Sequence, residues 1–228
     1  VVNKIQKKLN NRRQIKVKNT LKFLTDTSKV FRKAIDTKII AITGSCGKTT
    51  LKELLGNVIG KISKVSISPK SYNNKFGVPL SLFNLKQYDE YGILELGMDK
   101  KGEIDYLSKI IEPDVGVITN INYAHAKNFK NIKQIALAKS EIIKNIKPSG
   151  FIVLNADDDF FILHKKIALK NNVKVISFGI KNQKADIKLI NIKRVKKRYL
   201  IKIRFDHKNR YFLLSNDFQN NIYNMLCC

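Results

Sequence analysis

Short apolar runs alternate with longer amphipathic stretches along most of this chain. Apolar runs bounded by turn signals are typical of strands buried on both faces, and stretches with apolar positions three or four residues apart are typical of helices. The pattern predicts strands over residues 39–42, 62–67, 91–96, 115–119, 151–154 and 173–178, and helices over 20–35, 48–59, 103–111, 132–146, 159–170 and 220–228. This alternation indicates an α/β fold with a mostly parallel sheet flanked by helices.

The rhythm changes near the C-terminus. Between residues 199 and 205 apolar side chains alternate with Lys202 and Arg204, which is the pattern of a half-buried strand. The segments 187–192 and 211–214 are predicted to be its neighbours. We therefore expect a small antiparallel sheet near the C-terminus, added to the edge of the parallel one.

The chain of 228 residues carries a formal net charge of +26, with 44 basic and 18 acidic residues. A charge of this size is typical of proteins that bind nucleic acids. However, only seven of the basic residues are arginine, which makes bidentate phosphate and base contacts, and the lysines are spread from end to end. Lysine, asparagine and isoleucine have AT-rich codons, so a biased genome accounts for the composition. We expect no nucleic-acid partner, and a basic nucleic-acid-binding module stays an alternative.

Membrane and redox signals are weak. No apolar run reaches the roughly 18 residues that a membrane-spanning helix needs, so no membrane span is predicted. The cysteines are Cys46, Cys227 and Cys228, an odd number with two adjacent. Such a set fits neither a disulfide framework nor a zinc site. A reducing, cytoplasmic compartment is the prediction that follows.

The segment 43–50 reads TGSCGKTT and lies between a predicted buried strand and a predicted helix. Glycines let a backbone wrap closely around phosphate, and the N–H groups at a helix start attract it. Lys48 would reach the β- and γ-phosphates of a nucleotide, and the Thr49 hydroxyl would bind Mg²⁺. The spacing is shorter than in the common phosphate loop (P-loop), and the alternative is an ordinary glycine-containing turn. The predicted nucleotide-binding residues of this loop are Gly44, Ser45, Cys46, Gly47, Lys48, Thr49 and Thr50.

Glu95 ends another predicted buried strand. It therefore lies at the carboxyl edge of the sheet, where open α/β sheets bind their ligands. Mg²⁺ prefers oxygen ligands, so a carboxylate at this edge is a candidate metal ligand. The alternative is a helix-capping or salt-bridged glutamate.

The short loop is one of several segments that resemble the Mur ligase family and its relative, folylpolyglutamate synthetase. The others follow in the family's order, and the resemblance covers roughly residues 20 to 228. They read YNNKFGVPL at 72–80, ELGM at 95–98 with GEI at 102–104, PDV at 113–115, TNI at 119–121 with AH at 124–125, AKSEI at 138–142, LNADD at 154–158 and NIYN at 221–224. The set is most similar to the branch of the family that adds D-alanyl-D-alanine to a cell-wall precursor.

The resemblance implies an amide-bond-forming enzyme of peptidoglycan synthesis that uses ATP and Mg²⁺. In the implied reaction the γ-phosphate of ATP passes to the terminal carboxylate of UDP-N-acetylmuramoyl-tripeptide (UDP-MurNAc-tripeptide). The amine of D-Ala-D-Ala then attacks the acyl phosphate, giving the amide, ADP and phosphate. Phosphoryl transfer needs positioning and charge neutralisation. The residues implied to supply these as the catalytic set are Lys48, Glu95, His125 and Lys139.

The resemblance also implies ligands for metal, substrate and nucleotide. The implied metal ligands are Thr49, Glu95, His125 and, once carbamylated by CO₂, Lys139. The implied substrate-binding residues are Asn73 and Asn74, and the implied nucleotide-binding residues beyond the loop are Asn120, Asn221 and Asn224.

Each of these residues also has an ordinary structural interpretation. A lone histidine such as His125 is more often a surface or core residue, and Lys139 is one lysine among many in this chain. An asparagine pair favours a turn. Asp157 and Asp158 lie between a predicted strand and a predicted helix, so we expect them to cap that helix.

The length of the chain differs from the three-domain arrangement of the family. We expect residues 1–36 to be a remnant linker and helix after a missing N-terminal domain. Residues 37–228 are expected to form the central ATP-binding domain, with the C-terminal ligase domain absent. Such a chain is expected to bind ATP weakly, not to ligate by itself, and to be a monomer. A Mur ligase of different specificity, or an enzyme like folylpolyglutamate synthetase, is the second hypothesis.

Overall fold

One nine-stranded sheet organises the residues that the computed structural model describes, which are 1–7, 14–123, 128–215 and 221–228. Its strands are β1 (Lys38–Thr43), β2 (Val65–Ile67), β3 (Tyr91–Glu95), β4 (Val115–Ile118), β5 (Phe151–Asn155), β6 (Lys174–Gly179), β7 (Ile187–Val195), β8 (Arg198–Phe205) and β9 (Lys208–Ser215). Their order in the sheet is β2-β3-β1-β4-β5-β6-β7-β8-β9. Neighbours are parallel from β2 to β7, and β8 and β9 continue the sheet in antiparallel fashion. The predicted fold class is confirmed.

Helices cover both faces of the sheet. They are α1 (Thr20–Lys33), α2 (Lys48–Ile59), α3 (Gly77–Phe83), α4 (Glu103–Ile111), α5 (Ile132–Lys139), α6 (Phe161–Lys170) and α7 (Ile222–Cys227), with a 3-10 helix over Ser140–Asn145. One core cluster contains Leu82, Ile104 and Ile135 from α3, α4 and α5. The other contains Leu51 of α2 and Leu226 of α7. Burial on both faces explains why the parallel strands are apolar throughout.

Two predicted elements differ clearly in extent from the observed ones. The strand predicted over 62–67 begins only at Val65, because the N–H groups of Ile62 and Ser63 bond to the carbonyl of Ile59 in a turn after α2. The helix predicted over 132–146 tightens into the 3-10 helix at Ser140, whose hydroxyl donates to Leu137 O at 2.7 Å. A serine side chain that bonds the preceding turn competes with the regular helix.

The apolar pattern does not predict α3, because Gly77 and Pro79 are both helix-breaking residues in most contexts. Both stand in the first turn, where a helix N–H has no intrahelical partner and a proline is tolerated. Val78 and Leu82 are fully buried and fasten the short helix to the core. Tertiary packing therefore overrides local preference here.

The topology brings three loops together at the carboxyl edge of the sheet. β1 lies between β3 and β4, and the register pairs Ile42 with Glu95 and Thr43 with Ile118. The segments that follow these three strands must therefore meet. At the opposite edge, the buried Arg32 of α1 donates to main-chain carbonyls and to Asp114 Oδ2 at 3.0 Å.

Among the residues described, no helix has both the length and the apolar character to cross a bilayer.

Candidate active site

The phosphate loop joins the end of β1 to the start of α2, as predicted. Gly44 has a φ of 148° and Gly47 has a φ of 81°, a range that other residues rarely adopt. A Cβ atom added at Gly44 would lie 1.9 Å from Thr119 Oγ1. Only glycine fits this position, so the backbone can curve closely around a ligand at the start of α2. The N–H groups of that first turn have no intrahelical acceptor and are available to an anion.

The residues after β4 hold the loop in place. Ser45 N donates to Asn120 O at 2.9 Å, and Ser45 Oγ exchanges hydrogen bonds with the main chain of Asn122. Asn120 Oδ1 accepts from Cys46 N at 3.0 Å, while Cys46 O accepts from Thr119 Oγ1 at 2.7 Å. The predicted nucleotide-binding residue Asn120 thus clamps the loop. Thr119 and Asn122 were missed, although their position directly after a buried strand is the signal that identifies them.

A buried carboxylate faces the first turn of α2. Glu95 is 2% exposed, and its Oε2 accepts from Thr49 Oγ1 at 2.7 Å. Its Oε1 accepts from Asn73 Nδ2 at 2.8 Å. The structure therefore brings together three residues that are distant in sequence and that were assigned to metal and substrate binding. The salt-bridge and helix-capping alternatives for Glu95 find no support in these contacts.

Two lysine ammonium groups meet at one carbonyl of the loop. Lys48 Nζ donates to Gly44 O at 3.0 Å, and Lys139 Nζ donates to the same oxygen at 2.9 Å. Lys139 is 2% exposed. Burial, together with the nearby charge of Lys48, lowers the pKa of Lys139 to about 7, while Cys46 acts in the opposite direction. A large fraction of this amine is therefore neutral near pH 7. The alternative of a solvated surface lysine is wrong.

The two asparagines predicted to bind substrate have different surroundings. Asn73 contacts Glu95, as described above. Asn74 Oδ1 accepts from the N–H groups of Phe76 and Gly77, both at 3.0 Å, and so shapes the turn that starts α3. An open cleft of about 730 Å³ adjoins both of them and extends from Lys48 to Tyr106 of α4.

The last helix approaches the loop from the other side. A Cβ atom added at Gly47 would lie 3.2 Å from the side-chain amide of Asn224, so Asn224 lies against the loop. Asn221 precedes α7 and makes no side-chain cap to it. Thr50 is exposed in the first turn of α2. His125 lies outside the described residues.

The expected capping of α6 is wrong for Asp157. The residue before α6, Phe160, makes no side-chain cap, but Asp158 Oδ1 accepts from Phe160 N at 2.9 Å in the turn that leads into the helix. Asp157 instead accepts from the N–H groups of residues 180–182 after β6 and from Tyr223 OH at 3.2 Å. Asp158 Oδ2 accepts from Ile121 N at 2.8 Å. Both carboxylates therefore tie neighbouring loops of the carboxyl edge together, which a pattern in sequence does not reveal.

The residues present fit a magnesium nucleotide. The glycine cradle has no room for a Cβ atom at Gly44, the start of α2 suits phosphate, and Thr49 with Glu95 offers oxygen ligands of the kind that Mg²⁺ prefers. Groups of three or more His, Cys, Asp or Glu that could hold a metal by themselves do not occur among the described residues. The ligands of a metal here would therefore include a hydroxyl group and phosphate oxygens as well as the carboxylate.

Comparison with known proteins identifies the fold and the family. The Mur ligase middle domain family matches residues 42–228. A UDP-N-acetylmuramoyl-tripeptide--D-alanyl-D-alanine ligase of Buchnera aphidicola is 40% identical over 168 residues, which cover 74% of this chain and 36% of that protein. The crystal structure of MurF from Acinetobacter baumannii superposes with a TM-score of 0.84 and 30% identity, covering 94% of this chain and 46% of that one.

MurF ligase from Thermotoga maritima, solved in complex with ADP, gives a TM-score of 0.85 at 26% identity. The match covers 97% of this chain and 51% of that one. The chain thus spans about a third of the length of the Buchnera relative and about half of each solved chain. On the family match and the agreement of fold and loop, the chain belongs to the Mur ligase middle domain family.

Proposed function

We propose that this chain provides the ATP- and Mg²⁺-binding centre of a ligase that adds D-Ala-D-Ala to UDP-MurNAc-tripeptide. One observation carries the proposal: the Thr49 hydroxyl and the Glu95 carboxylate lie 2.7 Å apart beside a phosphate loop on which two lysines converge. The choice of substrates is supported by the name of the Buchnera relative, a UDP-N-acetylmuramoyl-tripeptide--D-alanyl-D-alanine ligase. The chain covers only 36% of that relative, so its substrates are part of the proposal.

The site residues would act by positioning and by neutralising charge. Thr49 and Glu95 would hold Mg²⁺, which when bound offsets the negative charge of the β- and γ-phosphates. The first-turn N–H groups of α2 would bind phosphate oxygens. Lys48 would leave Gly44 O and turn its flexible side chain towards the γ-phosphate. These groups stabilise the charge that spreads over the transferred phosphoryl group.

Lys139 is proposed to act as a carbamate. Its neutral amine would attack the carbon of CO₂, forming an N–C bond and releasing one proton to give a carbamate anion. The lowered pKa makes this possible at neutral pH, because only the neutral amine reacts. The change would place a negative charge next to Lys48 and would supply an oxygen ligand for a second metal ion, for which the family resemblance implies His125 as a further ligand.

The acceptor carboxylate of the precursor is proposed to enter through the open cleft beside Lys48, where Asn73 and Asn74 form one wall. The lining of this cleft includes Lys48, the residue proposed to reach the γ-phosphate. D-Ala-D-Ala would reach the activated carboxylate from the same opening.

Calorimetry of ATP binding tests the nucleotide site. We expect the wild-type chain to bind ATP only with Mg²⁺, and Lys48→Ala to weaken binding by roughly 10- to 100-fold, since hydrogen bonds to charged groups contribute about 1.5–3 kcal/mol. Lys166→Ala, an exposed lysine on α6, serves as the matched control and should bind as wild type does. Binding that is equally strong in Lys48→Ala would refute the assignment of the loop, provided that circular dichroism shows both variants folded.

A substrate panel separates the proposed reaction from that of another amide ligase. Phosphate release by the full-length gene product is measured with UDP-MurNAc-tripeptide and D-Ala-D-Ala, and separately with a folate and glutamate. Turnover with the folate pair alone would overturn the substrate assignment and leave the nucleotide site intact.

We also propose a monomer, which sedimentation tests, and a cytoplasmic location, which rests on the free thiols of all three cysteines.

A further inference from the structure

Lys52 of α2 is a fully buried lysine that the site described above does not use. Its side chain is 0% exposed, whereas lysine is almost never fully buried in proteins unless it is paired. Its ammonium donates to Ser68 O at 2.7 Å and to Lys70 O at 2.6 Å, and it lies 3.5 Å from the carboxylate of Glu53. Both hydrogen bonds of the ammonium group therefore go to the main chain of one segment, residues 68–70.

That segment leads directly to the buried carboxylate. Ser68 Oγ accepts from Glu95 N at 3.3 Å, and Ser68 N donates to Ile93 O at 2.9 Å. A few residues later Asn73 donates to Glu95 Oε1, and its carbonyl accepts from Gly97 N at 2.7 Å. The segment thus touches the strand that carries Glu95 on both sides of that residue.

The backbone of this segment is held away from its preferred conformation. Lys70 has a φ of 42°, in the left-handed region that a lysine rarely adopts. Such a conformation persists only when surrounding contacts impose it, and it is concentrated at functional sites. Two contacts surround it here: the Lys52 ammonium donates to the carbonyl of Lys70 at 2.6 Å, and Tyr72 N donates to Pro69 O at 3.0 Å across the turn.

We propose that Lys52 is a positioning residue for the metal-binding carboxylate. It lies one turn after Thr49 on the same helix, so α2 presents the Thr49 hydroxyl and, through residues 68–73, also sets the direction of Glu95. Loss of the ammonium leaves the buried carbonyl of Ser68 without a donor and releases the conformation of Lys70. Asn73 and Glu95 then lose a defined orientation. The inference rests on the proposed Mg²⁺–ATP site.

Two measurements on the 228-residue chain test the proposal, with Lys52→Met as the variant. Met has a similar length and removes only the charge and its hydrogen bonds. We expect amide exchange in residues 69–76 to accelerate on the order of tenfold, with no change in α1 and α4. The Mg²⁺ concentration for half-maximal ATP binding should rise roughly 10- to 100-fold, the usual effect of losing a group that orients a metal ligand.

Arg32→Met is the matched control. Arg32 is also buried and also donates to main-chain carbonyls, but at the opposite edge of the sheet. It should lower stability and leave the Mg²⁺ midpoint unchanged. Lys52→Gln, whose amide is too short to reach both carbonyls, replaces the Met variant if that variant does not fold, and the same results are expected.

Unchanged exchange in residues 69–76 would overturn the proposal, as would an equal Mg²⁺ shift in the Arg32 and Lys52 variants. A wild-type chain that binds no ATP with Mg²⁺ would refute the proposed function instead. The exchange measurement needs no nucleotide and would still decide whether Lys52 holds the segment.

Discussion

Lys139 shows how one residue's surroundings change its chemistry. In the unfolded chain this lysine has its ordinary pKa of 10.5, whereas in the folded chain its pKa is about 7. Between these values the unfolded state binds more protons than the folded state, so the free energy of unfolding rises with pH. Below about pH 7 the lysine is protonated in both states, and its buried charge then lowers the free energy of unfolding by the full desolvation cost.

We predict that Lys139→Met removes this cost. Its free energy of unfolding should exceed that of the wild type most at pH 6.5, and the difference should shrink by on the order of 3 kcal/mol at pH 9.5. Urea melts in CO₂-free buffer at both pH values measure it, because dissolved CO₂ would modify the wild-type amine. Lys166→Met, on the exposed face of α6, should show no such change. A difference that is the same at both pH values would contradict the prediction.

The short helix α7 packs Leu226 into the core and is also tied to the carboxyl edge by a side-chain hydrogen bond. Tyr223 OH donates to Asp157 Oδ2 at 3.2 Å. Burial raises the pKa of Asp157, but hydrogen bonds from the N–H groups of residues 180–182, with help from Tyr223, outweigh it and lower that pKa. The carboxylate is therefore charged and fixed. It holds α7 where Asn224 meets Gly47.

We predict that Tyr223→Phe weakens ATP binding roughly 2- to 10-fold. The lost hydrogen bond contributes about 0.5–1.5 kcal/mol. Part of this free energy holds Asn224 beside the loop, so its loss reduces the affinity for ATP. Tyr211→Phe, which changes an exposed tyrosine of β9, is the control and should bind ATP as the wild type does. Calorimetry on both variants measures the effect, and identical affinities would show that α7 needs no anchor at Asp157.

The arginines near the C-terminus are close together in sequence but lie on two different faces of the sheet. Four of the seven arginines lie in the strands β7–β9. Arg198 and Arg204 share one face of β8, since their positions differ by an even number. Arg194 and Arg210 pair with Tyr199 and Ile203, which belong to the other face. The arginines are thus divided between two faces and form no single cluster.

We therefore predict weak, non-specific binding to nucleic acids that salt removes. Fluorescence anisotropy with a labelled duplex should show binding at 50 mM salt that falls by roughly 10³-fold or more at 200 mM. ATP binding with Mg²⁺ should change far less over the same range. Tight duplex binding that persists at 200 mM salt would favour the nucleic-acid-binding alternative.

The extent of prediction differs between the fold and the site. The bounds of α2 and α4 follow from periodicity, and the mostly parallel sheet follows from the alternation of strands and helices, because buried strands and amphipathic helices have distinct repeats. α3 was missed because Gly77 and Pro79 argue locally against a helix. The role expected of Asp157 was wrong and that of Asp158 incomplete, because sequence places both before a helix, while the partners of Asp157 and one partner of Asp158 come from loops elsewhere in the chain.

The sequence alone determined the element pattern, the phosphate loop and the family, since these depend on local repeats and on short runs of residues. Tertiary structure decided how distant residues meet: Glu95 between Thr49 and Asn73, Lys139 on the carbonyl of Gly44, and Lys52 behind the segment that carries Asn73. Burial and charge proximity then set the pKa of Lys139. The physical reason is that desolvation and hydrogen bonding act through space, between groups that the chain order keeps apart.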